Sequence, residues 1–149
     1  MAAGNWKLYD TAKLKIGQGI IDLDGHTFKM ALFQSTSNCD TLTHDELADL
    51  TNQVANGFGY TTGGETLTGV TWTNLSGVST FDCANVSWLI SGGTVNFKFA
   101  VIYDDTVAGD PLVCVSRLDI SGLSAISGKE IIVVIDPSGV FTMSGATTN

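Results

Sequence analysis

Cys39 and His44 have the residue types of a nucleophile and its base, because a nearby imidazole can draw off a thiol proton and leave a reactive thiolate. No third residue in the surrounding sequence is placed to orient the imidazole, and His44 has a structural explanation as a first-turn helix residue. Four possible zinc ligands, His26, Cys39, His44 and Cys83, lack the closely paired spacing that zinc sites use. Asp104-Asp105, followed by Asp110, could chelate a hard cation at a strand end, but carboxylates in such a place usually accept backbone hydrogen bonds in a turn. Asp22-Leu23-Asp24-Gly25 has the opening of a calcium loop, yet Phe33 stands where the bidentate glutamate belongs. Gly57 and Gly59 supply the G-x-G of a phosphate cradle, but a strand pattern follows them where a helix is required. The expectation is no catalytic residue, no cofactor and no metal, hence not an enzyme.

The elements around these residues read as β. Val95, Phe97, Phe99, Val101 and Tyr103 alternate with Asn96 and Lys98 and then with Ala100 and Ile102, the pattern of a strand that starts half solvated and ends covered on both faces. Ile131 to Ile135 is continuously apolar and β-branched, as in a central strand. Further strands are expected at Leu67 to Trp72, Thr80 to Cys83, Val86 to Ile90, within PLVCVSRL and within VFTM. Lys13-Leu14-Lys15-Ile16 is read as the start of the β region. Asp24-Gly25, between IIDL and HTFKMALF, is read as a two-residue hairpin turn with Phe28, Met30 and Leu32 facing inward. Thr43-His44-Asp45-Glu46 fits a capping box, which places one short helix near residues 44–50. The fold class is therefore all-β, an antiparallel β-sandwich of jelly-roll-like or immunoglobulin-like type, with residues 1–10 as an N-terminal arm and 11–149 as a single domain.

A chain of 149 residues can bury a core without staples. Only 15% of its residues are charged, against about 25% in ordinary soluble domains, which leaves surface suited to being covered. The net charge is −8 and Arg117 is the single arginine. Lys7, Lys13, Lys15 and Lys29 concentrate in the first part of the chain, so the remainder is strongly acidic and a poor match for nucleic acid. Met1 to Gly19 has no signal-like apolar core and no run is long enough to span a membrane, so folding in a cytoplasm and no membrane partner are expected. Cys83 and Cys114 fall at core positions of strands, and Cys39 is expected to be exposed. Trp72, Trp88 and Tyr60 could form a platform for a sugar ring, although Trp88 alternates with Val86 and Ile90 as a core residue would.

The order GFGYTTGG, FDCANVSWLISGG, VNFKFAVIYDD, a DPLV strand and a closing IDPSGVFTM resembles a family of small β-sandwich structural proteins of tailed bacteriophages. Members typically carry a G-x-G-Y-x-x-G-G loop, a YAVIYDD-like strand and a terminal D-x-x-G-[IV]-F. The resemblance spans about Phe28 to Met143 and departs at Leu118 to Gly128, where a different loop is expected. It implies a virion protein, foremost a capsid decoration or cement protein on the outer surface of the head, assembled in the host cytoplasm. The implied partners are the major capsid protein and further copies of the chain, as a dimer or trimer, with Trp6, Lys7 and Tyr9 of the arm as candidate contacts. A neck, tail or fibre-base component and a glycan-binding module are the alternatives.

Overall fold

Each long alternating segment of the sequence forms a strand, and the strands pair antiparallel. In the computed structural model, which describes residues 2–145, the elements run β1 (Lys7–Leu8), α1 (Asp10–Gly17), β2 (Phe28–Phe33), a 3-10 turn (Leu47–Asp49), β3 (Glu65–Thr66), β4 (Thr71–Leu75), β5 (Val78–Asp82), β6 (Val86–Leu89), β7 (Thr94–Phe97), β8 (Phe99–Asp104), β9 (Leu112–Arg117), β10 (Leu123–Ile126), β11 (Glu130–Val133) and β12 (Phe141–Ser144). One sheet has the order β1-β9-β8-β2-β3; β10-β7, β11-β6 and β12-β5-β4 form the smaller sheets. A single apolar cluster, from Tyr9 to Val140, is shared by all of them. The all-β, antiparallel, sandwich-like class is as expected.

Pairing along the second half of the chain is nested. β5 pairs β12, β6 pairs β11, β7 pairs β10 and β8 pairs β9. Residues 78–144 are thus one long hairpin folded across itself, which is the jelly-roll-like principle of the two arrangements considered. The roll is modified at β8, whose second neighbour is β2. Between β11 and β12 the extra residues Asp136-Pro137-Ser138-Gly139 loop out, closed by a Gly139 N–H bond to the Asp136 carbonyl (2.8 Å). The Asn85 side chain meanwhile accepts the Ile135 N–H at 2.9 Å and keeps the ribbon together.

The expected change in burial across residues 94–104 is present: β7 alternates, and all six residues of β8 are buried. This stretch is two strands, because at Lys98 the chain changes partners; the Lys98 N–H bonds to the Phe33 carbonyl, and its own carbonyl accepts the Leu118 N–H. Phe28, Met30 and Leu32 are buried as expected, together with Ala31 and Phe33 on the other face.

Several local expectations are corrected. The α-helix lies at Asp10–Gly17, where a strand was expected, and the segment near 44–50 holds only the 3-10 turn. A capping box is there but shifted: Glu46 is the cap and Asp49 accepts its backbone N–H at 3.0 Å. Asp24-Gly25 is not a hairpin turn, since Gly25 does not adopt positive φ; the Asp22 carboxylate instead accepts the N–H groups of Asp24 and Gly25. The strand expected at Leu67 to Trp72 is displaced to β4. β11 is not covered equally on both faces: Ile131 and Val133 are buried while Ile132 and Val134 are half-buried, and among the described residues β6 flanks one side and Ala2 and Ala3 meet Val134 on the other.

Candidate functional site

Residues 1–10 were expected as an arm. The described part, from Ala2 on, lies along the sheet: Ala3 bonds to Val134, Lys7 and Leu8 pair with Val115 and Cys114, and the Tyr9 N–H bonds to the Val113 carbonyl. Gly4 is needed there, because a Cβ at that position would stand 2.6 Å from the Arg117 carbonyl oxygen. The three candidate contact residues therefore separate. Lys7 is exposed, Trp6 is half-buried against the core, and Tyr9 is wholly buried with its hydroxyl donating to the Cys39 carbonyl. Burial raises the Tyr9 phenol well above its ordinary range, so it stays a neutral core donor and presents nothing to a partner.

Two open grooves flank this N-terminal strand. One, of about 600 Å³, runs between Trp6, Lys7, Lys13 and Leu42 on one wall and Asp136 to Thr142 on the other. The second, of about 470 Å³, lies between Lys7, Asp40, Arg117 and Asp119. Lys7 is common to both, and the charges around it are of both signs.

The chemistry-bearing residues are spent on structure. Cys39 is buried, not exposed, and burial pushes its thiol up to about 11 despite a hydrogen bond from Ser37. Cys83 is pushed up to about 12 by burial and by Asp82, and Cys114 is raised by its enclosure. Such thiols supply no thiolate near neutral pH. His26 Nδ1 stands 2.6 Å from Oδ2 of the fully buried Asp104, whose other oxygen accepts the Thr106 N–H. Asp104 thus does the turn work expected of it, while Asp105 lies 3.5 Å from Lys29. Among the described residues no group of three His, Cys, Asp or Glu side chains is placed to hold a metal ion.

The GFGYTTGG loop is a joint between strands. Gly57 and Tyr60 exchange backbone hydrogen bonds around Phe58 and Gly59, both at positive φ, a tight turn that glycine at the second position permits. The turn abuts β6 so closely that a Cβ on Gly59 would lie 2.1 Å from the Leu89 carbonyl oxygen. Tyr60, 2% exposed, accepts the Leu32 N–H of β2 at 2.9 Å, and Tyr103 of β8 donates to the Gly63 carbonyl at 2.6 Å. The sugar platform is not assembled: Tyr60 and Trp88 are core residues with ring centroids 6.0 Å apart, and Trp72 is half-buried beside Phe141.

What the sequence reading missed lies on the surface. Leu75 is 81% exposed and faces Val78 at the tip of the β4–β5 hairpin, and Ile120 is 80% exposed. Phe58, Leu89 and Ile126 are also exposed, and they lie near the turns that join β6 to β7 and β10 to β11. Only their apolar character next to Gly-containing turns signals them in the sequence. The chain matches no protein-family model, no curated protein and no solved structure.

Proposed function

We propose that this protein is a structural component of a tailed-phage virion, and specifically a decoration or cement protein that binds and stabilises the expanded head shell. The observation that carries the reading is the ordered set of motifs resembling such proteins, from GFGYTTGG to IDPSGVFTM. Those motifs hold strands together here, as a scaffold protein requires: Gly59, Tyr60, Gly63 and Tyr103 join β2, β6 and β8. A surface of low charge with exposed Leu75, Leu89, Ile120 and Ile126 supports it, because apolar groups of this kind gain from being covered. The major capsid protein is the partner in this reading. Of the N-terminal residues, Lys7 and the exposed edge of Trp6 are its available contacts, and Tyr9 is not.

The experiment is quantitative mass spectrometry of purified particles of the phage that encodes the chain. A decoration protein is present in a fixed ratio to the major capsid protein, in hundreds of copies. A few to tens of copies per particle would overturn the decoration role in favour of a neck, tail or fibre-base component, and absence from particles would overturn the virion reading.

A further inference from the structure

The open edge of β4 carries none of the usual protections against pairing. Sheet edges in monomeric proteins are usually protected by a charged side chain, a proline, a bulge or shortness. β1 carries Lys7, and β3 is two residues long and carries Glu65. β4 is five residues, Thr-Trp-Thr-Asn-Leu, paired to β5 without a register shift. No charged residue occurs between Glu65 and Asp82.

The hydrogen-bonding groups of that edge can be assigned. Ser76 and Gly77 both have positive φ, so Leu75 and Val78 close a two-residue hairpin and form a hydrogen-bonded pair. Alternation along an antiparallel ladder then makes Asn74–Ser79 and Trp72–Phe81 the non-bonded pairs. The Phe81 carbonyl accordingly bonds the other way, to the Val140 N–H beside β12. The N–H and C=O groups of Trp72 and Asn74 therefore point out from the sheet, and no described residue meets them.

We infer that this edge pairs with the same edge of a second copy, antiparallel and two-fold symmetric about Thr73. Trp72 of each copy then exchanges both backbone hydrogen bonds with Asn74 of the other, and Thr73 meets its own equivalent. Leu75, 81% exposed in the single chain, faces Thr71 across the new ladder. The self-complementary register is what a two-fold interface requires. A second copy is the occupant because each chain carries −8 and this is a stretch where two of them can approach without like charges facing. The inference does not rest on the virion reading and is tested without capsids.

The test is sedimentation equilibrium of the full chain and three variants, with circular dichroism to confirm folding. The wild type is expected as a dimer of twice the 15.7 kDa chain mass. Thr73→Lys sets two lysines against each other, and Asn74→Pro removes an outward N–H and leaves the backbone ladder to β5 in place, at the loss of the side-chain bond from Asn74 to Ser79; both are expected to be monomers. Ser124→Lys, on the uncharged strand β10, should remain a dimer. A wild type that stays monomeric at all concentrations, a dimer that survives both β4 changes, or one abolished by Ser124→Lys would overturn the proposal. Should the β4 variants fail to fold, hydrogen exchange on the wild type decides: the Trp72 and Asn74 amides must become protected as concentration rises, and unchanged exchange refutes it.

Discussion

Replacing Tyr60 by Phe removes one oxygen and tests whether the GFGYTTGG loop is the joint described above. In the native chain the Tyr60 hydroxyl accepts the Leu32 N–H at 2.9 Å and the Gln53 side-chain N–H at 3.3 Å. Leu32 is wholly buried and Tyr60 is 2% exposed, so water cannot take the place of the lost acceptor. A buried donor left unsatisfied costs about 1–3 kcal/mol, while the ring and its contact with Trp88 stay. For a chain of this length that corresponds to a fall in Tm of roughly 3–10 °C. Urea unfolding followed by tryptophan fluorescence, with hydrogen exchange at the Leu32 amide, measures both effects. A midpoint within about 0.5 kcal/mol of wild type, with the Leu32 amide still protected, would show that the N–H has another partner and refute the reasoning.

Other expectations follow from the same geometry. Gly64 has φ +78° and a Cβ there would lie 1.8 Å from the Met30 carbonyl oxygen, so Gly64→Ala should cost more than the roughly 1–3 kcal/mol of backbone strain alone and yield little soluble protein; near-normal expression and Tm would contradict this. Tyr9→Ala should cost about 3–5 kcal/mol through lost core packing, and removal of residues 2–9 should abolish cooperative unfolding, which circular dichroism against temperature would reveal. The three thiols should resist a soluble disulfide reagent at neutral pH in the folded chain and react fully after denaturation; fast labelling of Cys39 in the native state would place it at the surface. Cys39 and Cys83 have folded-state values raised to about 11 and about 12 from about 9 in the unfolded chain. Their contribution to stability is therefore complete below pH 9 and is lost as the pH climbs towards 11 to 12, and a urea midpoint that rises over that range would contradict the assignment.

How much could be read in advance depended on whether a residue's neighbours in space were also its neighbours in sequence. Alternation from Val95 to Tyr103 reports burial directly, and the polar Asn96 and Lys98 mark where cover begins. The helix at Asp10–Gly17 reads as a strand because Leu14 and Ile16 mimic alternation, yet Leu14 is 59% exposed and the inward face is only Ala12 with half-buried Ile16, too short a stripe to signal a helix. Its ends did carry a signal: Asp10 begins the first turn, and Gly19, at φ +72°, bonds back to the Ile16 carbonyl. Cys39 sits among Ser37, Asn38 and Asp40, and nothing local predicts its burial; Tyr9, thirty positions earlier, closes over it. Sequence proximity groups the N-terminal candidates and strand parity puts Lys7 and Tyr9 on one face, but Tyr9, at the entry to α1, is buried where its hydroxyl meets the Cys39 carbonyl, while Lys7 stays exposed. Trp72 and Asn74 could not be recognised as an open edge before the partner of β5 on its other side was known.

The most direct test of the virion reading is co-sedimentation of the purified protein with expanded capsids and, separately, with isolated tails, read as copies bound per particle. Saturable binding of hundreds of copies to expanded capsids alone is the predicted result. Binding confined to tails, or to neither particle, would contradict it.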